Sequence, residues 1–193
     1  MADPSYIADD GTLTDPEAWV ALATTTLGSS VSAVTFTSPN DGSSLDWGQF
    51  MDLMVIWYAR SDRSSTNNDF IVRFNNDSGS DYEVQSFSSS GSSANPYATT
   101  TTFMYAGNLP AASSTANHMS AGVASFMDVN SGKYKSLLAQ SAKDANGSGY
   151  ADLLSGVYRS QSPVTRIDLM ASGNNLVSGS KFSLFGILPR MVS

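Results

Sequence analysis

Cysteine is absent from the 193-residue chain, histidine occurs once and glutamate only twice. The first absence excludes disulfides, thiolate metal sites and cysteine nucleophiles. The second leaves His118 alone in the polar loop Ser114–Met119. One imidazole cannot supply the nitrogen and sulfur ligands that zinc takes. A Ser-His-Asp triad would have to use it, yet no serine sits in a G-x-S-x-G elbow, so His118 reads as an exposed loop residue. The third leaves Glu17 and Glu83. The aspartates fall mostly in turns, so paired carboxylates for glycoside hydrolysis have no evident seat. No catalytic, cofactor-binding or metal-binding residue is assigned, no cofactor is expected, and the chain reads as non-enzymatic.

Charge is scarce as well. Charged residues make up 14% of the chain, and Lys+Arg 10 against Asp+Glu 17 gives a net charge of −7. An acidic chain repels phosphate backbones and anionic lipid surfaces, so neither nucleic acid nor membrane is an expected partner. Long apolar runs are missing. The longest, around Phe50 to Ala59, is interrupted by Asp52 and falls short of the roughly 18 residues of a membrane span. The opening Met1-Ala2-Asp3-Pro4 has no basic stretch followed by an apolar core, so no secretory signal is expected. Ala2 excludes myristoylation.

What the chain does contain is short β-branched and aromatic runs between turn clusters. Val31 to Thr37 ends at Ser38-Pro39-Asn40-Asp41-Gly42, a strong turn signal. Phe50 to Ala59 alternates, with both faces largely apolar, as in a central strand. Asp69 to Phe74 and Tyr82 to Phe87 read as a hairpin pair. Tyr97 to Tyr105, Gly122 to Val129, Lys133 to Gln140, Ala151 to Tyr158, Thr165 to Met170 and Phe182 to Ile187 complete roughly ten strands. Long loops are expected at 88–96, 106–119 and 144–149. The one helix expected is N-terminal. Thr14-Asp15-Pro16-Glu17 resembles a capping start, and Trp19, Leu22 and Ala23 would share its face. The expectation is an all-β, jelly-roll-like antiparallel sandwich over 31–193, preceded by an arm and short helix over 1–30. That arm is either an ordinary ordered terminus or a segment that docks on a neighbouring subunit.

Two weaker signals carry a second reading. Asp77-Ser78-Gly79-Ser80-Asp81 is a hairpin turn or, through its alternating carboxylates, a faint calcium loop. Trp57 reads as core, Trp47 as a strand entrance and Trp19 as part of the helix. Tyr97 and Tyr105 flank a threonine run and serve either packing or sugar stacking.

Several segments together resemble a family of virion proteins of tailed bacteriophages. Gly179-Ser180-Lys181-Phe182-Ser183-Leu184-Phe185-Gly186-Ile187 is similar to that family's C-terminal Gly-Ser-x-x-x-Leu-Tyr-Gly-Ile ending, with Phe185 in place of tyrosine. Ile167-Asp168-Leu169 and Ser172-Gly173-Asn174 resemble its penultimate strand and turn. Trp47-Gly48-Gln49-Phe50-Met51-Asp52-Leu53 with Arg60-Ser61, and Arg73-Phe74-Asn75-Asn76-Asp77 with Tyr82, resemble earlier segments. The resemblance covers about residues 19–188 and carries over no catalytic residue. It implies a β-sandwich virion protein, made in the host cytoplasm and functioning in the particle. The first expectation is a capsid decoration or cement protein, partnered by the major capsid protein and by its own copies, a homotrimer being favoured. The alternative is a tail fibre, spike or receptor-binding module that holds a glycan.

Overall fold

The computed structural model describes residues 19–90, 93–144 and 149–188. They form twelve strands: β1 Trp19–Thr26, β2 Ala33–Thr37, β3 Asp52–Ala59, β4 Asn67–Phe74, β5 Tyr82–Ser89 and β6 Ala94–Thr101, then β7 Met104–Pro110, β8 Ser120–Met127, β9 Lys135–Asp144, β10 Gly149–Tyr158, β11 Arg166–Ala171 and β12 Lys181–Ile187. The only helical turn among them is a 3-10 turn, Trp47–Gln49, capped by the Asp46 carboxylate on the Gly48 N–H. Two antiparallel sheets result, an eight-stranded one in the order β1-β12-β3-β8-β9-β10-β5-β6 and a four-stranded one in the order β2-β11-β4-β7. From β2 to β5 the chain changes sheet at every connection, and it does so again from β6 to β8 and from β10 to β12. This is the winding of a jelly roll. The meander β8-β9-β10 widens the larger sheet at its centre.

Four expectations are corrected. β4 and β5 are not a hairpin pair, because the chain crosses between the sheets at their connection. The loops expected at 88–96 and 106–119 are shorter, since β5 runs to Ser89, β6 starts at Ala94 and β7 runs to Pro110. Trp19–Thr26 is a strand, not a helix, and it pairs along β12 from Trp19↔Ile187 to Thr26↔Lys181. The threonine run costs side-chain freedom in a helix, and the open edge of β12 satisfies the backbone instead. The cap residues Thr14–Glu17, and the rest of the expected arm up to residue 18, lie outside the described residues. Tyr97 to Tyr105 is not one strand. It breaks at Thr102-Phe103, so β6 belongs to the larger sheet and β7 to the smaller.

The core lies between the sheets and is dominated by aromatic rings. Trp57 packs on Phe70 at 4.8 Å and Phe70 on Phe182 at 6.0 Å. Phe74 meets Phe126 edge-on at 5.0 Å, and Tyr82 stacks on Tyr158 at 4.7 Å. Each fully buried ring of this kind contributes about 1.5–3 kcal/mol through lost apolar surface.

The segments that carried the family resemblance have structural duties. Gly179 turns the chain at φ +85°, and the buried Ser180 hydroxyl accepts from the Arg60 N–H. Phe182 and Leu184 enter the core, as does Ile167. Gly186 lies under Phe50, where a Cβ would stand 2.5 Å from the ring. The Arg60 guanidinium donates to five carbonyls of the β7–β8 loop: Ala111, Ala112, Ser114, Thr115 and His118. Tyr82 closes the turn after β4, its hydroxyl bonding the Phe74 backbone and the Asp77 carbonyl.

Candidate functional site

Two surfaces stand out. The first is the outer face of the larger sheet. Alternation along each strand and the pairing registers place Ile56, Val123, Gln140, Leu153, Phe87 and Pro96 in one row across six strands. Beside it runs a row of small residues, Ala121, Ala142 and Ala151. Together they make a shallow apolar groove floored by alanine and bordered by Val123, Leu153 and Phe87. Leu138, Leu153 and Phe87 are each about half exposed. The outward positions from Met54 to Tyr58, Ala121 to Met127, Ser136 to Ala142 and Ala151 to Val157 carry no charge. Asp52, at the start of β3, is buried and accepts from the Asp128 N–H at 2.7 Å. Lys181 and Glu83 stand on this side beyond those ranges, and Glu83 is held by Arg159 at 3.6 Å.

The second surface is a cleft of about 320 Å³ between the β5–β6 hairpin and the edge of β7. The larger sheet extends beyond the smaller one here, so the inner face of β5 and β6 looks past β7 instead of into a closed core. Tyr97 from β6 and Tyr105 from β7 meet at right angles, ring centroids 6.1 Å apart, and Phe103 backs Tyr105 at 5.2 Å. Ser86, the cross-strand partner of Tyr97, Ser88 and Leu154 line the cleft from the larger sheet, and Asn108 and Asp69 line it beside Tyr105 from the smaller.

A buried carboxylate fixes this lining. Asp152 points inward from β10 and is 6% exposed. It accepts from Ser88 Oγ at 2.6 Å, Ser141 Oγ at 2.7 Å, Asn108 N at 3.1 Å and Asn108 Nδ2 at 3.0 Å. Four donors satisfy its oxygens between the sheets. Asn108 reaches it because β7 carries an extra residue, Ala106, opposite the Phe70/Ile71 step of β4. Gly107 accommodates that bulge at φ +143°, and any Cβ there would run into the Ser141 side chain. Only glycine fits both demands. Asp69 differs from Asp152. No described residue donates to its carboxylate, and burial pushes its pKa up, with the Arg63 charge opposing and that of Asp152 adding. Burial also raises the Tyr105 phenol, with Asp69 adding.

The residues singled out in the sequence fall as follows. Trp57 and Trp47 are both core, and Trp19 stands half exposed at the end of β1. Asp77 accepts from the Gly79 N–H at 2.7 Å and from the Tyr158 hydroxyl at 2.9 Å. These bonds give it the role of a turn residue. No group of three metal-ligating side chains occurs among the described residues. His118 is half-buried in the β7–β8 loop rather than exposed, and its Nδ1 has no partner. The structure brings Tyr97 and Tyr105 together. Sequence reasoning missed Asp69, Asn108 and Asp152. Period-two alternation through Leu154 and Tyr158 was the one available signal, since it turns Asp152 inward.

No protein-family model matches the chain, and no curated protein is similar to it. No helix among the described residues is long and apolar enough to cross a membrane.

Proposed function

We propose that the chain is a structural protein of a bacteriophage virion, a decoration or cement protein. In this reading it seats the outer face of its eight-stranded sheet on the subunits of the capsid shell. One observation carries the reading: a broad sheet face, apolar and without charge, on a protein of net charge −7. Four strands at about 4.8 Å and seven residues at about 3.4 Å make an uncharged plate of about 450 Å². The row through Phe87 and Pro96 extends it toward the roughly 800 Å² of one side of a standard protein–protein interface. An acidic protein meets a second acidic surface at least electrostatic cost where its own charges are fewest. The alanine trough and the neighbouring ridge of Ile56, Val123, Leu153 and Phe87 provide relief for shape-matched docking. Many copies on a symmetric lattice would raise weak individual contacts to firm attachment. The winding and the C-terminal segment resembling that of phage virion proteins are consistent with this role. The reading uses no chemistry.

Quantitative mass spectrometry of purified particles tests it. Hundreds of copies per particle are expected for a protein on the capsid lattice. A few dozen would overturn the cement role in favour of a tail appendage, and absence from the particle would overturn both.

A further inference from the structure

We infer that the cleft between the β5–β6 hairpin and β7 is a binding site for one ring of an uncharged sugar, stacked on Tyr97 and hydrogen-bonded by Asp69 and Asn108. The inference is independent of the virion reading, since it rests on a different surface.

Size is the first argument. About 320 Å³ is the space of roughly ten waters at about 30 Å³ each, the scale of one pyranose with its hydroxyls. The aromatic wall is the second. Tyr97 is 51% exposed, and the perpendicular Tyr105 ring and Phe103 behind it support it from one side only. One ring face of Tyr97 is therefore free for the C–H face of a sugar. The polar wall is the third. Asp69 is a half-buried carboxylate that receives no donor from any described residue. Its oxygens are open to the hydroxyls of a donor-rich ligand. Asn108 has committed its amide N–H to Asp152. Ser88 has committed its hydroxyl proton to the same carboxylate. Ser88 therefore offers its oxygen as an acceptor, and Asn108 its amide oxygen, which Asn67 Nδ2 approaches at 3.5 Å and which has room for a second donor. The lining is thus acceptor-rich and carries one carboxylate, Asp69, with that of Asp152 buried behind it. It suits a polyhydroxylated ring and repels phosphates, sulfates and acidic sugars.

Preorganisation is the fourth argument. Asp152 holds Asn108, Ser88 and Ser141 from behind, and the Gly107 bulge aims Asn108 at it. Asp152 and Ser141 position the lining and do not touch the ligand. A lining held by a buried hydrogen-bonded network loses little entropy on binding.

The test is isothermal titration of the full chain with galactose, glucose, mannose and N-acetylglucosamine, with N-acetylneuraminic acid as the anionic comparison. At least one neutral sugar should bind in the millimolar range, the acidic one more weakly. Tyr97→Ala and Asp69→Asn alter exposed or half-exposed side chains and should leave the thermal melt unchanged. Each should weaken binding about threefold to tenfold or more, the range of one stacking or one hydrogen-bonding contact. Backbone amide shifts on titration should cluster at residues 86–88, 97–99 and 105–108. Three results would overturn the inference: no response to any neutral sugar, affinity unchanged in both variants, or tighter binding of the acidic sugar.

Discussion

Two residues show how tightly the packing constrains single positions. Gly186 lies in the strand sandwiched between β1 and β3, and the Phe50 ring occupies the space of its missing side chain. Gly186→Ala should therefore cost about 1–3 kcal/mol, the usual range for overpacking, read as a lower urea midpoint at unchanged slope. Tyr158 is the second. Burial, followed by its hydrogen bond to Asp77, raises its phenol to about 12. Burial raises Tyr82, stacked on it, further still. Both hold their protons more tightly folded than unfolded, where a tyrosine titrates near 10. Their contribution is fully present below about pH 10 and is lost as pH climbs through about 12. Urea midpoints should hold steady up to about pH 10 and then fall. Tyr158→Phe should make that fall shallower while lowering stability at neutral pH, because Asp77 loses a donor.

At the scale of elements, the strands were legible wherever period two ran unbroken, as in β3, β10 and β12. β1 was misread for a specific reason. Trp19, Leu22 and Ala23 have the three-and-four spacing of a helix face, but in the strand Trp19 lies outside against Phe185 while Leu22 and Ala23, at the register slip after Ala21, pack on the core. The break between β6 and β7 was hidden because threonine, phenylalanine and methionine continue a strand as readily as they end one. Only the change of sheet marks it. The cleft was half legible. The two tyrosines stood out by type, but Asp69 and Asn108 join them through the Ala106 bulge, a tertiary event with no local signature. Loops show the same division. Nothing in 111–119 predicts order, yet Arg60 ties five of its carbonyls to the end of β3. Arg60→Ala should speed amide hydrogen exchange across 111–119 by about tenfold to a hundredfold, as charge-assisted bonds of about 1.5–3 kcal/mol are lost. Arg60→Lys should not restore protection, because one ammonium cannot serve a fan of five acceptors.

For the whole molecule, the governing contrast is between an acidic protein and one face without charge. Leu153 and Phe87 sit side by side at the centre of that face, paired across β10 and β5. Leu153→Glu should leave stability within about 0.5 kcal/mol, as for most surface changes. It should nevertheless abolish co-sedimentation with capsids if the face is the docking surface. The circular dichroism spectrum and melting temperature serve as the control for folding. Unimpaired co-sedimentation would remove the face from the interaction.

One feature of the topology also governs how the protein is made. β12 is the last of the described strands, yet it lies inside the larger sheet, between β1 and β3. Its pairing with β1 joins Trp19 to Ile187, so β1 waits for a partner far downstream. Until residues 181–187 leave the ribosome, β1 lacks that partner and β3 has a bare edge. A chain broken before residue 181 would keep an open sheet, exposed to aggregation and proteolysis. Such a chain would not enter an assembly as a defective copy, so β12 acts as a check on the closing of the sheet.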